Sequence, residues 1–262
     1  MHSLNFLVKI YAFAYRNYIF AKGNFFAFLE ILFWPVVGLL SVGLMTKFLN
    51  LDKNFVAFVL TGAITGGVLQ VTQLDVSYSL LYDIWSKSIK QTFLAPVTQY
   101  DYIIGSWLIG MARGLTVFVI LSFFSAKLFG FIYPGLIISI IFLTGIFLTG
   151  LMIGMFVCLL VMLYGQRVEV TAWSLVALLM LVCGMYYPVN LLPKPFVIIA
   201  AFIPLTHFLE YYRSFYGFSP VFTYSLIKGF VLVIFYIILL FILLKYAFEH
   251  SRRTGMILRL SE

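Results

Sequence analysis

Apolar residues run along this chain in six long stretches separated by short polar ones: Phe25 to Leu49, Phe55 to Asp75, Ile103 to Leu128, Gly135 to Leu163, Val170 to Tyr187 and Phe222 to Phe248. A helix rises about 1.5 Å per residue, so roughly 20 apolar residues cross the ~30 Å hydrocarbon core of a bilayer, and each stretch predicts a membrane-spanning helix. A further run, Phe196 to Ile203, reaches only about 12 Å as a helix. Pro188, Pro193 and Pro195 precede it and Pro204 follows. Such a segment is expected to dip into the membrane and return, because broken backbone persists at that depth only where protein or water covers it. The asymmetry points to a gate rather than an anchor, set in an outer re-entrant segment over residues 188–220.

Ahead of the first stretch, Leu4, Leu7, Val8, Tyr11, Tyr15 and Tyr18 recur at helical spacing, while Asn5, Lys9, Ala12 and Arg16 share another stripe. Residues 4–21 therefore predict an amphipathic helix in the headgroup plane of the cytoplasmic leaflet. Lys9 and Arg16 interrupt the apolar run and no small-residue cleavage site follows, which argues against a removable signal peptide.

Composition agrees: 63% hydrophobic and 10% charged residues, with a mean hydropathy of +1.08, leave no material for a soluble domain. The expected fold is an all-α integral membrane protein, one transmembrane domain over residues 1–262 with six transmembrane helices. Lys9, Arg16, Lys22, Lys87, Lys90, Arg167, Lys245, Arg252, Arg253 and Arg259 fall on one side of these spans. Lys47, Lys53, Lys127, Lys194, Arg213 and Lys228 fall on the other, with Arg113 inside a span. The positive-inside bias then puts both termini in the cytoplasm of a plasma (inner) membrane protein and makes residues 77–101 the largest inward-facing segment. The net charge of +8 does not imply nucleic acid, since the cations sit at span ends and form no basic patch interleaved with aromatics.

The chemistry is notable for what is missing. No GxxxxGK[ST] phosphate cradle occurs, so the chain has no nucleotide site of its own. His2, His207 and His250 lie far apart without metal-ligand spacing, and no GxSxG nucleophile elbow is present. Neither a metal, a cofactor nor a catalytic residue is expected on this chain. Cys158 and Cys183 lie within apolar spans and read as small core residues.

Three stretches share one likeness. Tyr186-Tyr187-Pro188-Val189-Asn190-Leu191-Leu192-Pro193, continuing through Ile203-Pro204-Leu205-Thr206-His207-Phe208-Leu209-Glu210 to Arg213, resembles the closing signature of type-2 ABC exporter permeases. Phe93-Leu94-Ala95-Pro96-Val97, followed by Tyr100-Asp101 and Gly105, is similar to the segment by which those permeases enter their third span; Trp34-Pro35 in the first stretch is similar too. The resemblance implies a subunit that pairs with a second copy of itself and with two separate ATPase subunits, which hold the ATP and magnesium. It implies a coupling helix seated in the ATPase, corresponding here to Asp83, Trp85, Ser86, Lys87, Lys90 and Gln91. It also implies an outer gate, flanked here by Tyr186, Tyr187, Pro188, Pro193 and Pro204.

The cargo so implied is an amphiphilic molecule exported through the dimer interface: a drug, as in daunorubicin-type exporters, or a lipid or glycolipid, as in oligosaccharide and nodulation-factor exporters. Lys22-Gly23-Asn24 stands where polysaccharide exporters carry a longer LG..W approach to the first span. Two rivals come from other classes. An integral membrane enzyme acting on a lipid would use the polar segment Ser77 to Asp101, and an ion-coupled carrier would use Glu30 and Arg113, although carriers usually show repeated halves and none is evident. Charges within the bilayer cost at least about 2.5 kcal/mol each, so Glu30 and Arg113 are expected either to pair or to line the substrate path. The spacings Gly62/Gly66, Gly110/Gly114 and Gly150/Gly154 predict close helix contacts within one subunit.

Overall fold

The computed structural model describes residues 2–22, 25–94, 98–165 and 168–254, with side chains for 6–19, 32–89, 91–92, 98–165 and 168–249. Among these residues all regular structure is helical. In chain order the helices are α1 (His2–Lys22), α2 (Phe25–Phe48), α3 (Lys53–Trp85), α4 (Ile89–Leu94), α5 (Gln99–Phe129), α6 (Leu136–Tyr164), α7 (Thr171–Val182), α8 (Lys194–Ala201), α9 (Pro204–Ser214) and α10 (Ser225–Thr254). A 3-10 turn, Val189–Leu191, precedes α8.

α3 is the axis of the molecule. It packs against α2, α5, α6 and α7, and 78% of its most apolar window is buried. Small residues make this crowding possible. Thr72 of α3 lies between α5 and α6: a Cβ on Gly110 would come within 2.9 Å of the Thr72 carbonyl oxygen, and one on Gly150 within 2.9 Å of the Thr72 Cγ2. The three small-residue spacings thus bring helices together inside one chain, Gly62 and Gly66 meeting Met185 and Met180 of the α7 region. α1 lies along α5, burying Ile10, Phe13 and Asn17, with Gly105 admitting the Phe13 side chain; Leu7, Val8, Tyr11, Tyr15 and Tyr18 stay exposed.

α3, α5, α6 and the Ser225–Glu249 part of α10 are long and apolar enough to cross a membrane. The described apolar part of α2, Leu32–Phe48, is shorter, and α8 and α9 form a pair bent by 92°. The chain is therefore an all-helical protein built to sit in a membrane. Its fifth apolar stretch departs from expectation: Val170 to Tyr187 is helical only over the 12 residues of α7, about 18 Å, short of the hydrocarbon core. The helix stops because Gly184 takes a φ of +65°, and a Cβ there would lie 2.7 Å from the Tyr187 carbonyl oxygen. The second stretch departs the other way. α3 continues ten residues past Asp75, so Ser77 to Trp85, expected in a polar connector, is helix with Ser77, Ser79, Leu80, Leu81, Asp83 and Ile84 buried.

Candidate functional site

At 33 residues, α3 is about 50 Å long, so roughly 13 residues exceed what a bilayer core requires. The excess forms an elbow at its C-terminal end. Ser86 N–H donates to the Tyr82 carbonyl at 2.9 Å, Lys87 turns the chain with a φ of 58°, and Ser88 opens α4 by accepting from the Gln91 N–H at 3.0 Å. α5 then starts on a capping box: the Thr98 hydroxyl accepts from the Asp101 N–H, and the buried Asp101 carboxylate accepts from the Thr98 N–H at 2.9 Å.

Asp83 fastens the elbow from within. Its carboxylate, 3% exposed, accepts from Arg16 Nη1 at 2.9 and 3.0 Å, from Ser88 Oγ at 3.0 Å and from Thr92 Oγ1 at 3.1 Å, tying α1, α3 and α4 to one point. Arg16 also donates to Ser79 Oγ at 3.0 Å, and its guanidinium lies over the Phe13 and Tyr102 rings. Asp83, expected among the coupling residues, thus lies inside the elbow: a carboxylate this buried is retained only with a full set of donors. Trp85 is half exposed but leans back along α3 against Tyr82 and Tyr78, its indole N–H donating to Glu169 at 3.1 Å. The outward tip consists of Ser86, Lys87 and Gln91, all exposed. The Lys90 side chain and residues Ala95, Pro96 and Val97 lie outside the described residues. Sequence reasoning missed Arg16 as the partner of Asp83, since the two are 67 residues apart and Arg16 read as one more polar position on an interfacial helix.

The opposite end of α3 carries the bent pair α8–α9. Arg213, 3% exposed, donates to the Gly184 carbonyl at 2.7 Å, the Phe58 carbonyl at 3.1 Å and the Met185 carbonyl, and its guanidinium lies 3.5 Å from the Phe58 ring centre. These carbonyls of residues 184 and 185 are free because α7 has ended, and a buried unpaired acceptor is costly. Glu210, one turn earlier, accepts from the N–H groups of Val221 at 3.2 Å and Phe222 at 3.1 Å, closing the connection into α10. Of the expected gate residues, Pro188 and Pro193 cap the 3-10 turn and α8, and Pro204 occupies the first turn of α9. The Tyr187 hydroxyl donates to the Leu181 carbonyl, fastening the turn to α7, and Tyr186 is at the border of exposure. A cavity of about 160 Å³ lies between this segment and α3, lined by Phe58, Pro188, Asn190, Glu210, Arg213 and Phe218 among others.

Arg113 is paired, but with Asp75 of α3, and its Nη2 also donates to the Asn17 carbonyl at 3.4 Å. Asp75 is thus the counter-ion, and the Glu30 side chain lies outside the described residues.

The chain matches no family model. An uncharacterized protein of Archaeoglobus fulgidus is 57% identical to it over 51 residues, a stretch covering 20% of this chain and 80% of that protein. The chain belongs to the same family as that protein.

Proposed function

We propose that this chain is the membrane permease subunit of an ATP-driven ABC exporter, acting as a homodimer with two separate ATPase subunits and carrying an amphiphilic substrate out of the cytoplasm or inner leaflet. The observation that supports this reading most is the elbow. α3 and α5 flank a short helix and a turn with exposed polar residues, and the partly buried Arg16–Asp83 pair ties that junction to α1. A rigid projection continuous with long helices converts movement of a docked partner into tilting of those helices. The lack of a phosphate cradle on the chain is in keeping with a motor held on another subunit. In this reading Ser86, Lys87, Lys90 and Gln91 face the ATPase, Asp83 and Arg16 hold the elbow, and the α8–α9 pair caps the outer end with both termini cytoplasmic.

The test is affinity purification of the tagged chain from its native membranes in mild detergent. A nucleotide-hydrolysing subunit should co-purify in equal amount, and a double charge reversal, Lys87→Glu with Lys90→Glu, should release it while the chain stays monodisperse. Recovery of the chain without any ATP-hydrolysing partner, in cells that express it from its own locus, would sink the proposal.

A further inference from the structure

The cavity between the α8–α9 segment and α3 is walled by a carboxylate, Glu210, a guanidinium, Arg213, and an amide, Asn190, together with the rings of Phe58 and Phe218. Glu210 and Arg213 stand three residues apart on α9 and so share one of its faces. Both are buried, at 8% and 3% exposure, while Asn190 is exposed. One carboxylate and one guanidinium leave the lining neutral as a whole.

Neither charged group is used up by the protein. Arg213 has five N–H donors and gives three hydrogen bonds, to the carbonyls of Gly184, Phe58 and Met185. Its Nε is buried and has no hydrogen-bond partner among the described residues. That donor is held in place, since the guanidinium is pinned by the three carbonyls and lies 3.5 Å from the Phe58 ring centre. On Glu210, Oε2 accepts from the Phe222 N–H and from Ser225 Oγ, whereas Oε1 accepts from the Val221 N–H at 3.2 Å and keeps a second lone pair for another donor.

A ligand that fits must therefore accept from Arg213 and donate to Glu210. An anion would meet the Glu210 carboxylate and a cation the Arg213 guanidinium, while an apolar group would leave the Nε donor buried and unpaired. A hydroxyl accepts and donates through one atom without charge, and several on one ring can engage the carboxylate, the Nε and the Asn190 amide together. The carbon face of such a ring can pack against Phe218, whose own ring meets Phe58 edge to face at 4.8 Å. At about 160 Å³ the cavity is smaller than the roughly 300–1,000 Å³ of drug-sized pockets, so it takes a head group rather than a whole amphiphile. Val221, also in its wall, is 42% exposed and Leu191, next to Asn190, is 72% exposed, apolar surface on which an attached chain can lie. We propose that this cavity binds a neutral, hydroxyl-rich ring, a sugar or polyol, free or as the head of an amphiphile. Where the exporter reading holds, this names the head group of its cargo, but binding is measured without an ATPase, so either proposal can fail alone.

The experiment uses the full chain in lipid nanodiscs, free of sugar-based detergent, with Ser219→Cys as reporter. Ser219 lines the cavity and is exposed, and Cys158 and Cys183 are buried, so maleimide labelling follows the new thiol. Octyl glucoside below its micellar concentration should slow the labelling saturably. Octyl tetrahydropyranyl ether, which keeps the ring without its hydroxyls, octyl sulfate and octyltrimethylammonium should not, at equal concentration. Protection by free glucose in the same range assigns the site to a free sugar, and protection by the glucoside alone assigns it to the head of an amphiphile. Asn190→Leu and Glu210→Gln, each in the reporter background, should raise the half-protecting concentration at least about tenfold, with the labelling rate in the absence of glucoside as the check that the wall is formed. Asn190→Leu alters an exposed position and decides the matter alone if Glu210→Gln does not fold. Equal protection by the stripped ether or by the charged octyl compounds, protection unchanged in Asn190→Leu, or no saturable protection by glucoside or glucose would each overturn the site.

Discussion

Arg213 spends its guanidinium on the carbonyls of Phe58, Gly184 and Met185, so its truncation leaves buried acceptors without donors. Arg213→Ala should cost at least about 3 kcal/mol, and Arg213→Lys somewhat less, because an ammonium keeps the charge but cannot reproduce the planar fork. The shift in apparent melting temperature in detergent checks the order. Arg113 and Asp75 make a second case. Arg113→Gln or Asp75→Asn alone strands a charge inside the protein and should destabilise by roughly 3–5 kcal/mol, while the double substitution should cost clearly less than the sum. Additive losses would show that the two ends of the pair do not depend on each other. Arg113 stands out in the sequence as a charge within an apolar stretch. Its partner does not, because the two residues lie 38 apart and on different helices, and only the crossing of α3 and α5 decides which carboxylate it reaches.

Among the elements, the elbow and the bent pair behave differently from what proline and lysine content alone suggests. Lys87 holds a left-handed φ of 58°, so Lys87→Gly should be neutral or gain up to about 1 kcal/mol, and Lys87→Val should lose about 1–2 kcal/mol. Thermal stability of the two variants side by side is the measurement; equal values would mean the turn carries no strain. Pro204 sits in the first turn of α9, where its missing N–H would have had no partner, so Pro204→Ala should cost well under 1 kcal/mol rather than the ~3 kcal/mol of a proline in a helix interior. At the α8–α9 bend itself the freed carbonyls have side-chain partners, His207 Nε2 lying 2.8 Å from the Ala201 oxygen and the Tyr236 hydroxyl donating to the Phe202 oxygen at 3.1 Å. The same distinction governs Trp85. Its ring and indole N–H are already engaged by Tyr78, Tyr82 and Glu169, so as a docking contact it should be worth less than the ~2 kcal/mol of a free aromatic anchor.

For the whole molecule, the two ends of α3 can be told apart by thiol labelling. Cys158 and Cys183 are buried, so the native background is low, while Ser86 and Lys194 are exposed at the elbow and at the start of α8. Ser86→Cys should react only from the cytoplasmic side and Lys194→Cys only from outside, as the charge bias requires. Reaction of both from one side would rule out the topology and the export reading built on it. Hydropathy alone determined that this is a helical membrane protein, because a bilayer-length apolar stretch has few other stable forms, and it placed α2, α3, α5, α6 and α10 to within a few residues where they begin. It also marked the segment around Pro188 to Pro204 as broken. Hydropathy misjudged where α3 and α7 end, since helix ends inside a protein are set by who satisfies the last carbonyls. α3 runs on with Asp83 paired to Arg16 of α1, and α7 can end at Gly184 because Arg213 of α9 supplies donors to the backbone that the ending frees. Those partners are distant in sequence and meet only when the helices pack, so the elbow and the outer bend belong to the tertiary structure.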